Sequence, residues 1–150
     1  MPVLSLSGRP VSEPATFVRT EALVAALPGA FAKTDTAALD LDNTADVAPL
    51  VPYLTGLALI RIAFPGFADG RGFSLGQRLR HLGYRGRLRA HGPLIPDQRA
   101  ALLGSGFDEV ELAADVLGRH GGAAAWAPRP SESPFVRRRQ RQPARRATAA

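Results

Sequence analysis

Four short runs rich in apolar residues, centred near Leu39, Ile60, Leu88 and Val110, alternate with helix-like segments, and this alternation constrains the fold more than any other feature. A strand, a helix and a further strand in succession imply a right-handed crossover and parallel pairing. The expected class is therefore α/β, with repeated strand-helix units forming a mostly parallel sheet, either an open three-layer sheet or a partial barrel. Ala38-Leu39-Asp40-Leu41-Asp42 alternates apolar and acidic residues, and Asn43-Thr44-Ala45-Asp46 reads as a turn and helix cap. Val47–Leu54 follows as a short helix, in which Pro49 and Pro52 fit only in the first turns. Leu57–Phe64 is the most continuous apolar run and reads as a central strand covered on both faces.

Ser74-Leu75-Gly76-Gln77 has the spacing of a capping box and predicts a helix beginning at Leu75. Its buried stripe is expected to be Leu75, Leu79 and Leu82, with Arg78, Arg80 and His81 facing out or toward the rim and Gly83 as the stop. Gly86–Ala90 reads as the next strand. Pro96-Asp97-Gln98 opens another helix, closed by Gly104 and Gly106; Phe107–Leu112 reads as a fourth strand and Asp115–His120 as a last helix. Residues 1–34 carry less pattern, with Val3-Leu4-Ser5-Leu6 as an edge strand and Thr20–Leu27 as a helix capped by Thr20.

The length suits one compact domain, placed at residues 1–127. From Pro128 onward seven arginines stand against one acid, Glu132, which accounts for the whole net charge of +6; residues 1–127 hold equal numbers of basic and acidic side chains. Basicity thus belongs to the 128–150 tail, which is expected to be disordered, and nucleic acid is a partner only through that tail. The absence of cysteine removes thiolate catalysis, cysteine-ligated zinc and iron–sulfur clusters, and no metal site is assigned. No basic segment followed by an apolar one opens the chain, and the apolar runs fall short of a membrane span, so a cytoplasmic location without a membrane partner is expected.

In a parallel sheet, ligands gather beyond the carboxyl ends of the strands. Asp42-Asn43, Asp69-Gly70-Arg71-Gly72, His91-Gly92, and Glu111 with Asp115 would meet there. Asp69, Gly70, Arg71, Gly72 and Ser74, ahead of a helix N-terminus, are the candidate binding residues for a sulfate, sulfite, phosphate or carboxylate, joined by Gln98. The architectural alternative pairs Asp69 with Arg71 and uses the glycines for positive φ. Gly70, Gly72 and Gly76 also resemble a dinucleotide fingerprint, but five residues separate the strand from the first glycine, and Arg89-Ala90-His91 stands where an acid belongs, so the cofactor stays unassigned. His91 and Asp97 are the candidate catalytic residues, His91 as acid or base at a strand end. Phe64, Phe67, Phe73 and Tyr84 flank the loop as packing residues, or else as a lid over a planar ligand.

The run Phe64-Pro65-Gly66-Phe67-Ala68-Asp69-Gly70-Arg71-Gly72-Phe73-Ser74, then Arg78-Leu79-Arg80, Gly83-Tyr84-Arg85-Gly86, Leu88-Arg89-Ala90, Gly92, Asp97-Gln98 and Gly106-Phe107-Asp108, resembles the bacterial family called domain of unknown function 934. The resemblance covers roughly residues 37–112. Members are commonly described as oxidoreductases of sulfite reduction, through their association with sulfite reductase and assimilatory sulfur genes. The resemblance thereby implies an accessory protein or oxidoreductase component acting with sulfite reductase. The alternative is a nonredox α/β enzyme that binds a phosphate- or carboxylate-bearing metabolite through His91 and Asp42. Pro93 and Arg87 depart from the family pattern, which has acids at the matching positions.

Overall fold

A computed structural model describes residues 1–7, 11, 13, 17–19 and 37–129. The helix expected over Thr20–Leu27 and the chain from residue 130 onward lie outside the described residues. Among the described residues, six strands form one sheet: β1 (Val3–Ser5), β2 (Phe17–Arg19), β3 (Ala37–Leu41), β4 (Leu57–Ala63), β5 (Arg87–His91) and β6 (Glu109–Glu111). Their order is β1-β6-β5-β4-β3-β2, with β1 antiparallel to β6 and every other pairing parallel. The mostly parallel α/β class read from the sequence is thus the observed one. From β3 to β6 the spatial order follows chain order, and right-handed crossovers, the rule for parallel strands, put the connecting helices on one face. This is the order of a barrel segment, left open at β1 and β2, rather than of a sheet wound in both directions.

Strand register divides the side chains cleanly. Val18, Leu39, Leu41, Ile60, Ile62, Leu88, Ala90, Val110 and Leu4 align across the sheet on one face. They meet Leu75, Leu79, Leu102 and Phe107 in one hydrophobic core. Alternate residues face the other way, and there β4 carries Arg61. Leu57 and Leu59 on that second face are buried, and Arg61 belongs there to a layer of charged side chains described below.

Between the strands lie a 3-10 helix (Ala48–Gly56), helix α1 (Arg71–His81), a 3-10 turn (Pro96–Gln98) running into α2 (Arg99–Gly104), then α3 (Ala114–Arg119) and a last 3-10 turn (Ala123–Trp126). The prolines explain the first of these, since Pro49 sits at its start and Pro52 inside it removes a donor that a longer α-helix would need. Helix α1 begins four residues before the expected Leu75. Its first turn is closed by Asp69, whose carboxylate accepts the Arg71 N–H at 3.1 Å, so Ser74 lies inside the helix, exposed, and forms no capping box. Leu82, expected on the buried stripe, is the C-cap residue and 38% exposed.

Helices α1 and α2 end with the same device. Gly83 (φ 95°) and Gly106 (φ 97°) adopt the left-handed conformation, and the following Tyr84 and Phe107 N–H groups donate back to the Leu79 and Leu102 carbonyls. Arg80 ties the two turns together. Its guanidinium donates to the carbonyls of Tyr84 (2.9 Å), Gly86 (2.8 Å) and Gly106 (2.8 Å), and to Asp108 (2.8 Å). It is folded in against these turns, where a side chain facing out or toward the rim was expected. Among the described residues, no helix is long and apolar enough to cross a membrane.

Candidate functional site

The loop between β4 and α1 stands at the carboxyl end of the sheet, as its position after a parallel strand requires. Asp69 and Arg71 pair with each other there: Arg71 Nε donates to Oδ1 at 2.9 Å and Nη2 to Oδ2 at 2.5 Å. The Arg71 side chain and its backbone N–H together hold the Asp69 carboxyl well below the usual carboxylate range. The helix N-terminus is therefore already faced by an anion of its own loop, while the Arg71 side chain is 61% exposed.

The glycines of this loop do not supply positive φ. Gly70 has φ −78°, and a Cβ there would meet nothing within 4 Å. Gly72 is buried in α1 where a Cβ would come within 2.4 Å of the Phe64 ring. Gly76 is likewise pressed against Phe107, which accounts for the glycine spacing by helix-to-sheet packing. Gly72→Ala is expected to cost about 1–3 kcal/mol in chemical denaturation. Gly70→Ala should be close to neutral in the same measurement, and equal losses at both positions would contradict this packing role.

Gln98 joins two loops. Its Oε1 accepts the Ile95 N–H at 3.0 Å, and its Nε2 donates to the Phe67 carbonyl at 2.8 Å. Phe67, with its backbone held in this way, leaves its side chain in solvent at 63% exposure. Phe64 and Tyr84 are buried, and Phe73 packs on Phe64 edge to face with ring centroids 5.2 Å apart. Asp97 is exposed and pairs with Arg129 at 3.0 Å. Asp42 is exposed, and Asp115 is exposed and pairs with Arg119 within α3. The structure thus brings Asp69, Arg71, Phe67 and Gln98 to one rim.

The second face of the sheet holds a denser constellation. Register aligns Glu109 and Glu111 with Arg87, Arg89 and His91, then with Arg61 and Asp40, then with Arg19 and Phe17. Arg61 forms a two-pronged pair with Asp40, Nε to Oδ1 and Nη2 to Oδ2 both at 2.8 Å, and its Nη1 donates to Glu111 at 3.0 Å. Arg87 donates to Glu109 at 2.8 Å. Arg89 donates to Glu109 (2.9 Å), Glu111 (3.1 Å) and Glu13 (3.1 Å), and the Phe17 ring stacks 3.9 Å from the Arg61 guanidinium. His91 ends β5 with Nδ1 3.8 Å from Glu111, too far for a hydrogen bond.

Sequence reading marked Glu111 and His91 but missed Arg61, Arg89 and Glu109 as members of one layer. Asp40, Arg61, His91 and Glu111 lie toward the carboxyl ends of their strands, on the face that a barrel would turn inward and where such folds carry their chemistry. Among the described residues, no group of three His, Cys, Asp or Glu side chains is placed to hold a metal ion.

The charges in this layer shift one another. The hydrogen bonds with Asp40 lead in raising the Arg61 guanidinium above its ordinary range, against burial. Burial pushes the Glu111 carboxyl up, but hydrogen bonds from Arg89 and Arg61 outweigh it and the net direction is down. A carboxylate lowered in the folded state contributes stability above its unfolded pKa of about 4.3, and loses it as pH falls through the folded value. The melting temperature is therefore expected to fall steadily on acidification below about pH 4. Glu111→Gln should start lower and fall less steeply; an unchanged acid slope would remove Glu111 from the linkage.

No curated protein and no solved structure gives a significant match to the chain. Among the residues that carried the sequence resemblance, Arg80, Gly83, Gly86, Gly106 and Asp108 stand at the amino end of the sheet, Leu88-Arg89-Ala90 within β5, and Asp69 to Gly72 with Gln98 at the carboxyl end. A family model covers both ends, matching residues 38–124 and so extending past the expected core through α3, and the chain belongs to that family, described as bacterial protein of unknown function (DUF934).

Proposed function

We propose that this chain is an accessory protein of assimilatory sulfite reduction, acting by docking on sulfite reductase. The observation that carries the reading is the rim at Phe67: an exposed aromatic side chain on a loop held by the Gln98 bond and the Asp69–Arg71 pair, beside an exposed guanidinium. Aromatic and arginine side chains on a pre-ordered backbone suit a docking contact, because little ordering remains to be done on association. The family resemblance supplies the sulfur-assimilation setting and the identity of the partner. The test is an affinity pull-down from cells grown on sulfate as sole sulfur source, comparing wild type with Phe67→Ala. Sulfite reductase is expected in the wild-type eluate and reduced about tenfold or more by the substitution. An eluate without it overturns the docking role.

A second reading is a nonredox enzyme acting on a phosphate- or carboxylate-bearing metabolite. It draws support from His91 standing against Glu111 at the carboxyl ends of β5 and β6, where an acid–base pair would be placed.

A further inference from the structure

Arg89 has a side chain with no solvent exposure, yet one of its three carboxylate partners is itself largely in solvent. Its Nε is taken by Glu109, and its Nη1 is shared between Glu111 (3.1 Å) and Glu13 (3.1 Å). Its Nη2 donates to the other Glu13 oxygen at 3.2 Å. Glu109 and Glu111 come from the neighbouring strand. Glu13 belongs to no strand, comes from far along the chain, and keeps its side chain 62% exposed. The outer edge of a buried guanidinium, two N–H groups side by side, is thus covered by a two-oxygen anion reached from solvent.

Glu13 differs from the other carboxylates around Arg89, which stand in the sheet. Among the described residues, withdrawing it leaves Arg89 paired with Glu109 and Glu111, so the guanidinium keeps two charged partners. The surroundings form walls: the Phe17 ring lies 5.9 Å from the Arg89 guanidinium and 3.9 Å from that of Arg61. His91, on the same face of β5 as Arg89, has its buried Nδ1 without a hydrogen-bond partner.

We propose that the outer N–H edge of Arg89 is a binding site for a small oxyanion group presenting two oxygens, and that Glu13 occupies it in the ligand-free chain. A ligand carboxylate, sulfate or phosphate replaces the Glu13 oxygens on Nη1 and Nη2, a carboxylate with the same single charge and sulfate with one more. The site is separate from the Phe67 rim and independent of the docking role proposed above.

Glu13 then acts as a tethered competitor, with an effective concentration on the order of millimolar. Its removal raises ligand affinity by the reciprocal of the fraction of time the site stands open, about tenfold where Glu13 holds it nine-tenths of the time. The experiment is calorimetric titration of wild type and Glu13→Ala with acetate, sulfate and phosphate at constant ionic strength, with chloride as the control. Glu13→Ala is expected to bind at least one of the three about tenfold tighter than wild type. Backbone amide shifts on titration are expected at Arg89, Ala90 and Phe17. The three anions separate a carboxylate ligand from a sulfur or phosphorus oxyanion. Equal affinities for both proteins overturn the proposal. So does binding that Arg71→Ala abolishes in the Glu13→Ala background, with shifts confined to Gly70–Gly72, because the anion would then sit on the loop.

Discussion

Arg89→Met is expected to destabilise the protein by about 3–5 kcal/mol, a large part of the total stability of a domain this size. The cost does not come from a weak surface contact. The Arg89 and Glu109 side chains are both without solvent exposure, and Glu111 is nearly so. Removing the guanidinium leaves carboxylates facing an apolar methionine, where water cannot restore the lost hydrogen bonds. Arg87 still reaches Glu109 and Arg61 still reaches Glu111, which keeps the loss from growing further. The double substitution Arg89→Met with Glu109→Leu removes both charges of the most buried pair, and it is expected to be less destabilised than Arg89→Met alone. Urea denaturation followed through the single tryptophan, Trp126, which is 3% exposed, measures both. A loss below about 1 kcal/mol in the single variant would mean that water reaches this layer.

How this layer escaped the sequence reading is instructive. The apolar face was legible because Leu39 and Leu41, Ile60 and Ile62, Leu88 and Ala90, and Val110 and Leu112 stand at alternate positions, and the centres of β3 to β6 fall where that pattern puts them. The opposite face was written in charges: Asp40, then Arg61, then Arg87, Arg89 and His91, then Glu109 and Glu111. Such residues normally mark solvent, and the alternation of Glu109 and Glu111 with Val110 is the pattern of a strand exposed on one face. The signal for burial was complementarity of sign between successive strands, acid on β3, base on β4 and β5, acid on β6. It becomes readable only once the strand order is known to be sequential. Strand β2 carried no signal at all, since three residues show no period.

The loop at Asp69 lies between β4 and α1, where the pattern predicts a loop, but its helix starts earlier and is closed differently. Asp69 closes the first turn of α1 from two residues before Arg71, and this local side-chain bond outcompetes the capping box that Ser74 and Gln77 suggest by spacing. The glycines looked like a cradle for an anion because glycine before a helix often is one. Gly72 and Gly76 instead let α1 lie close on Phe64 and Phe107, a contact between elements that spacing in one segment cannot reveal.

Arg80→Ala is expected to cost about 3–5 kcal/mol while leaving the carboxyl end of the sheet unchanged. One guanidinium serves the carbonyls of Tyr84, Gly86 and Gly106 and the carboxylate of Asp108, which in turn accepts the Leu88 N–H at 3.0 Å. Alanine takes the Arg80 donors from three carbonyls around two left-handed turns and from the Asp108 carboxylate, at the points where the chain enters β5 and β6. Arg80→Lys keeps the charge but has three donors on a single nitrogen, and it cannot span carbonyls that a planar fork reaches from both sides. It is therefore expected to recover less than half of the loss. Anion titrations and the amide shifts of Gly70 to Gly72 should match wild type in Arg80→Lys, since Arg80 braces the end of the sheet remote from the ligand-facing rim. A lysine variant as stable as wild type would show that charge alone holds these turns, and altered binding at the far rim would show that the two ends of the sheet are coupled.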